Sequence, residues 1–336
     1  MTKSTKKIND YTLDWGELAF GSKKPLKDLN AIFIVAPREI STRRFAQLVK
    51  QYFPHGNIVL GLAKEQFVDD LENQPQFRTY QMNEVLEDLI TQVNGASPKR
   101  KIYVLNYFQR ELKFILDKGN FSRVLLLNGS WYRAFHYRPE YYILTQKQIP
   151  YELLSPFADE HEAQAFADAV VLPELPGEGV MTELEMLQVA GQAATHSFDY
   201  GGYQCGATLG RKAEAGYTLL VAAHNRIVPF ETYAMHYGAS REKNFSPMQD
   251  LNHYDTVHAE TEIIIKAAAD KIDLKGTTLF INLLPCPTCA RMLADTPIEE
   301  IVYTEDHSSG YAIQMLEKAG KKVRRVVPAP KTEGEE

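Results

Sequence analysis

The chain has 336 residues, 44% hydrophobic and 24% charged, with a net charge of -6, which is the composition of an ordinary soluble globular protein with room for two domains. No apolar run approaches the ~18 residues that would span a bilayer, and the basic start Met1–Lys7 leads into no hydrophobic signal region, so no membrane association and a cytoplasmic location are expected. The only three cysteines, Cys205, Cys286 and Cys289, are too few and odd in number for a disulfide framework and point to metal or redox chemistry.

In chain order, residues 1–27 read as a polar arm in which Trp15 and Phe20 are free to dock. From Leu29 short apolar runs alternate with amphipathic stretches. Ala31–Ala36, Asn57–Leu62, Lys101–Asn106, Arg123–Asn128, Tyr141–Leu144 and Tyr151–Leu154 are predicted strands. Thr42–Tyr52, Asn83–Val93 and Gln109–Lys118 are predicted helices. Continuous apolar strands separated by helices imply a parallel sheet covered on both faces, so residues 28–178 are expected to form a Rossmann-like α/β domain. That domain has no G-x-G-x-x-G and no Walker A lysine loop. Asn128-Gly129-Ser130 reads as a tight turn, or as a ligand loop at the carboxyl end of a strand. The aromatic cluster Trp131, Tyr132, Phe135, His136, Tyr137, Tyr141 and Tyr142 reads as core and interface, with base stacking as the alternative.

Leu172–Gly179 is rich in proline and glycine and marks the expected boundary. Beyond it, Thr182 with Glu185 three residues on forms a capping-box pattern, predicting a helix to about Ser197. Ala207–Leu209 and Tyr217–Ala223 are predicted as a strand pair. His258–Lys271 is predicted as a helix, Thr277–Leu284 as a strand, and a short helix enters at Cys286. Glu300–Thr304, Gly310–Ala319 and Val323–Val327 read as strand, helix and strand. The second domain is assigned to residues 179–328, and the polar residues 329–336 are expected to be a disordered tail. Residues 1–175 are close to neutral, whereas 176–336 carry the acid excess. A polynucleotide partner would call for a basic footprint, so a small substrate is favoured and nucleic acid is disfavoured without being excluded.

The chemistry concentrates in His258-Ala259-Glu260 and Pro285-Cys286-Pro287-Thr288-Cys289. One imidazole and two thiolates give Zn²⁺ three ligands and leave an open position, as catalytic zinc sites require. Glu260, two residues after the histidine, is a carboxylate able to move protons for an activated water. The alternatives are a redox C-x-x-C, a structural zinc recruiting Cys205 as fourth ligand, and ligation by His224 or His253. H-x-E followed by P-C-x-x-C is the signature of zinc-dependent nucleobase deaminases.

On these motifs, together with Leu220-Val221-Ala222-Ala223-His224-Asn225, Thr278-Leu279-Phe280-Ile281 and Ile301-Val302-Tyr303, residues 181–327 resemble the cytidine deaminase superfamily, and more narrowly its deoxycytidylate deaminase-like branch. The resemblance implies a cytidine deaminase-like α/β/α domain, zinc on His258, Cys286 and Cys289, and Glu260 as the catalytic proton shuttle. It further implies that Asn225 binds the sugar or base and that the Ala259 backbone N–H meets the base carbonyl. The expected activity is hydrolysis of a cytosine nucleotide or nucleoside to the uracil product and ammonia, by a homo-oligomer. A histidine ligand favours the nucleotide, RNA/DNA or purine branches over the free-nucleoside enzymes. Alternatives are deamination of tRNA adenosine, single-stranded DNA cytosine, guanine or a pterin-like ring, or a silent zinc-scaffolded binding protein, against which the retention of Glu260 argues. The long stretch Arg226–Val257 carries Arg226, Arg241 and Lys243, of which Arg241 or Lys243 either pairs a 5′-phosphate or is surface charge. Asp306–Tyr311 stands where the family often has a tyrosine-bearing substrate loop.

Overall fold

The computed structural model describes residues 26–327 apart from 178, 249 and 251. Trp15, Phe20 and the tail from 329 lie outside the described residues. The chain divides into two compact units. The first takes the described residues up to Gln66 with Thr79–Leu127 and Arg138–Leu153, and the second takes Phe67–Arg78, Asn128–Tyr137 and the chain from Leu154.

The first unit alternates β1 (Ala31–Val35), α1 (Thr42–Tyr52), β2 (Asn57–Ala63), α2 (Glu84–Ala96), β3 (Ile102–Tyr107), α3 (Leu112–Lys118), β4 (Phe121–Leu127), α4 (Pro139–Gln146) and β5 (Tyr151–Leu154). The sheet order is β3-β2-β1-β4-β5, with β1 parallel to both β2 and β4 and β2 parallel to β3. Every residue of β1 is buried, as a central strand covered on both faces requires. The helices start where short polar side chains satisfy free N–H groups: Ser41 Oγ accepts from Arg44 N at 3.0 Å and Asn83 Oδ1 from Leu86 N at 2.9 Å.

One expectation is corrected. Tyr141–Leu144, expected as a strand, lies in α4. Pro139 occupies the first turn after an extended Arg138, which pre-sets a helix. Glu140 and Leu144 are buried while Tyr142 is exposed, a four-residue spacing that overrides the β-propensity of the Tyr-Tyr-Ile run. A further helix, α5 (Glu160–Ala169), capped by Asp159, went unanticipated.

The second unit continues with β6 (Val180–Met181), α6 (Glu183–Ala194), β7 (Gly206–Ala213), β8 (Gly216–His224), β9 (Arg226–Ile227), α7 (Tyr233–Tyr237), α8 (Ser240–Lys243), β10 (Thr256–Val257), α9 (Ala259–Ala269), β11 (Thr277–Leu283), α10 (Pro287–Ala294), β12 (Glu300–Glu305), α11 (Tyr311–Lys318) and β13 (Lys322–Arg325). Its mixed sheet runs β13-β12-β11-β7-β8-β6. β11, β12 and β13 are parallel neighbours, and β7 is antiparallel to β11 and β8.

Strand alternation sorts this core into two layers. Leu279 and Ile281 of β11, with Ile301 and Tyr303 of β12, face Ala259, Ile263 and Ala267 of α9, Ala290 and Leu293 of α10, and Ala312 and Leu316 of α11. The intervening Phe280 and Val302 face Met186, Leu187 and Val189 of α6. This is the α/β/α arrangement, and it seats α9 and α10 side by side on one face. The Thr182–Glu185 capping box is present at the start of α6.

A separate cluster explains why residues from the N-terminal half belong to the second unit. Val68, Leu71 and Phe77 pack with Phe157, Ala163, Phe198, Tyr200, Ile227, Ala234 and Met235. Gln76 Nε2 donates to the Thr195 and Ser197 carbonyls at 2.8 and 2.6 Å. α5 and the Leu172–Gly179 stretch fall within this unit as well.

Candidate metal centre and active site

β10 delivers the chain to His258, the extended N-cap of α9. β11 delivers it to Pro285 and Cys286. Cys286 is the N-cap of α10, with Pro287 in the first turn, where the missing proline N–H costs nothing. Both cap residues project from helix N-termini, whose partial positive charge favours anionic ligands and thiolates. The Cys289 N–H donates to Cys286 Sγ at 3.5 Å.

His258 Nδ1 lies 3.5 Å from Cys286 Sγ and 3.3 Å from Cys289 Sγ, and one ligand atom from each residue falls within 4.8 Å of the others. A tetrahedral zinc with Zn–S of about 2.3 Å and Zn–N of about 2.0–2.1 Å requires N···S edges of about 3.5 Å, so the donors fit that ion. Among the described residues no fourth His, Cys, Asp or Glu joins the group, which leaves a coordination position open. The hydrogen bond between the two sulfurs lowers the Cys286 thiol to about 3 and raises that of Cys289. His258 is raised, chiefly by its hydrogen bond with Cys286.

Glu260 sits in the first turn of α9 and is only 4% exposed. Burial pushes its carboxyl above the ordinary range, while the adjacent His258 pulls it down, a setting suited to a group that both takes and gives a proton. Ala259, fully buried, is the first helical residue, so its N–H belongs to the set without an intrahelical partner.

Asn225 follows β8 and is buried. Its Oδ1 accepts from Cys205 N at 2.7 Å, and its Nδ2 donates to Tyr203 O at 2.9 Å and Asp199 Oδ2 at 3.4 Å. Asp199, which no motif flagged, also accepts from Thr256 Oγ1 at 2.9 Å and Gly201 N at 2.9 Å. Its carboxyl is raised by burial.

The other candidates from the sequence go elsewhere. His224 faces Glu231 at 3.6 Å, His253 bonds Ser246 and Asp250, and Cys205 is a half-buried thiol whose pKa is raised strongly by desolvation. Arg226 lies 3.4 Å from Glu262. Arg241 donates to the Met248 and Asp250 carbonyls at 3.0 and 3.1 Å. Two aromatics missed by sequence reasoning border the site. The Tyr254 ring meets that of His258 at 5.6 Å, and the Tyr203 ring meets that of His307 at 5.6 Å. A tyrosine in a loop carries no sequence signal that separates it from surface residues.

Residues 181–305 match the cytidine and deoxycytidylate deaminase zinc-binding region. Deoxycytidylate deaminase of Enterobacteria phage T4 is 27% identical over 100 residues, 28% of this chain and 52% of its own length. An uncharacterized deaminase in the luxG 3′ region of Aliivibrio fischeri is 31% identical over 113 residues, 31% of this chain and 74% of its own length. The structure of dCMP deaminase from cyanophage S-TIM5 in complex with dCMP and dUMP covers 42% of this chain and 93% of its own at 18% identity, with a TM-score of 0.30. The chain belongs to the cytidine and deoxycytidylate deaminase family, and His258, Cys286 and Cys289 are its candidate zinc site. It spans about half the length of the first curated relatives it matches.

Proposed function

We propose that this chain hydrolytically deaminates a cytosine nucleotide or nucleoside, of the dCMP type, giving the uracil product and ammonia. The observation that carries the reading is Glu260, a buried carboxylate in the first turn of α9, two residues after the His258 donor of a three-donor metal group. A zinc that served only as scaffold would need the ligands and not this carboxylate. When bound, the zinc supplies a Lewis acid that lowers the pKa of a water to about 7.

The chain's own residues supply the rest. Glu260 would move both protons of the attacking water, the first to the pyrimidine ring nitrogen and the second to the amine, which leaves as ammonia while the water oxygen becomes the uracil carbonyl. The Ala259 N–H, at the positive end of α9, would donate to the base carbonyl. Asn225, which also holds the segment Tyr203–Cys205, would bind the sugar or base. The acidic balance of residues 176–336 supports a small substrate over a polynucleotide.

The test is ammonia release by the zinc-loaded chain from deoxycytidine, dCMP, guanine and a cytosine-containing oligonucleotide. Release from dCMP or deoxycytidine, with stoichiometric uracil product, is expected. Release from guanine or the oligonucleotide alone would move the activity to another branch.

A further inference from the structure

We infer that Arg133, from a segment of the N-terminal half that lies outside the family match, is the residue that recognises the phosphate of the substrate. The inference rests on the nucleotide reading above and deepens it.

The cations near the site are mostly committed. Arg226 faces Glu262, and Arg241 is spent on two backbone carbonyls and the Tyr254 ring. Arg133 differs. Its guanidinium lies over the rings of Tyr132 at 5.3 Å and Tyr203 at 5.8 Å. It donates to the Met248 thioether at 3.3 Å, a weak acceptor, and to the neutral Tyr132 hydroxyl. Among the described residues no carboxylate forms an ion pair with it. A planar fork of five N–H donors flanked by two tyrosines is suited to bidentate capture of an oxyanion.

Two lines of contact bring this group to the deaminase site, both within the second unit. Tyr203, under the guanidinium, accepts from Asn225 through its carbonyl and meets His307 through its ring. Met248 leads through Arg241 to Tyr254 and so to His258.

The placement is built rather than incidental. Arg133 has φ 66°, a left-handed conformation costly for a non-glycine residue, and its N–H donates to Tyr200 O at 3.0 Å. On either side, Trp131 and Phe135 are anchored on Glu242. In a unit with excess acid, a dianionic substrate requires such a fixed cation.

The experiment measures calorimetric affinity of the zinc-loaded full chain for dUMP and for deoxyuridine in wild type, Arg133→Gln and Arg133→Lys, alongside turnover of dCMP and deoxycytidine. Arg133→Gln is expected to weaken dUMP about 10–100-fold more than deoxyuridine, the range for loss of a charge-assisted contact. Arg133→Lys should recover part of that loss, and zinc content should stay at the wild-type level. Equal losses for both ligands, or a wild type that binds dUMP no tighter than deoxyuridine, would overturn the assignment. If the chain deaminates neither substrate yet keeps an Arg133-dependent preference for dUMP, the phosphate site stands and the deamination reading falls. If dCMP and deoxycytidine are turned over alike by wild type and Arg133→Gln, the reverse holds.

Discussion

Replacing Glu242 by glutamine should flatten the pH dependence of stability in a way that can be calculated. Glu242 is 3% exposed. It accepts from Trp131 Nε1 at 2.6 Å, Tyr200 Oη at 3.1 Å and Phe135 N at 3.4 Å. Burial outweighs these donors and raises its pKa from 4.5 to about 7. The folded state therefore keeps the proton up to about pH 7, whereas the unfolded chain releases it near 4.5. The associated stability is fully present below pH 4.5 and is lost as the pH rises through 7. Between pH 5 and pH 8 this amounts to about 2.5 kcal/mol. A glutamine there keeps an acceptor for Trp131 and has no proton to lose. Urea unfolding of both proteins at several pH values, followed by tryptophan emission, gives the difference in free energy with other titrating groups cancelled. The Glu242→Gln protein should gain about 2.5 kcal/mol relative to wild type from pH 5 to pH 8. Parallel pH profiles would refute the buried, proton-holding carboxylate and with it the latch that fixes Trp131, Phe135 and the intervening Arg133.

Cys286→Ala should lose most of the bound zinc, because it removes one of three ligands and the thiolate that caps α10; full zinc retention by metal analysis would refute the ligand set. Gly206→Ala would set a Cβ 2.0 Å from Ala190 O and 2.4 Å from Ala194 N, both backbone atoms of α6. It should therefore destabilise the second unit by about 1–3 kcal/mol or more, and an unchanged melting temperature would contradict the close approach of β7 to α6. Thr182→Ala removes the hydroxyl that accepts from Glu185 N and donates to Glu185 Oε2, leaving only the backbone side of the capping box, and should cost about 1 kcal/mol in denaturant unfolding, with no change as the refuting result.

What the sequence made legible was local. Apolar runs marked β1 to β4, and Thr182 with Glu185 marked the start of α6, because strand burial and helix capping are written within a few residues. The metal donors were legible for the same reason: Cys286 and Cys289 are three apart on one helix start, and His258 precedes an alanine-rich helix. α4 was misread because a Tyr-Tyr-Ile-Leu run suits either a strand or a helix face, and Pro139 together with the burial of Leu144 decided for the helix. The surroundings of the site were illegible because they are assembled over long separations. Trp131 and Glu242 are 111 residues apart, Gln76 and Ser197 are 121 apart, and no periodicity predicts such pairs. The same holds for Asp199, Tyr203 and Arg133, which belong to no motif and are linked by contacts between distant parts of the chain.

The most direct test of the account is turnover of dCMP by the zinc-loaded wild type and by Glu260→Gln, with zinc measured on the same samples. The account predicts uracil product and ammonia in equal amounts from the wild type. It predicts full zinc retention and a loss of about 10²–10⁴-fold or more in the variant, the contribution of a general acid–base group. Comparable turnover in Glu260→Gln with zinc retained would contradict it.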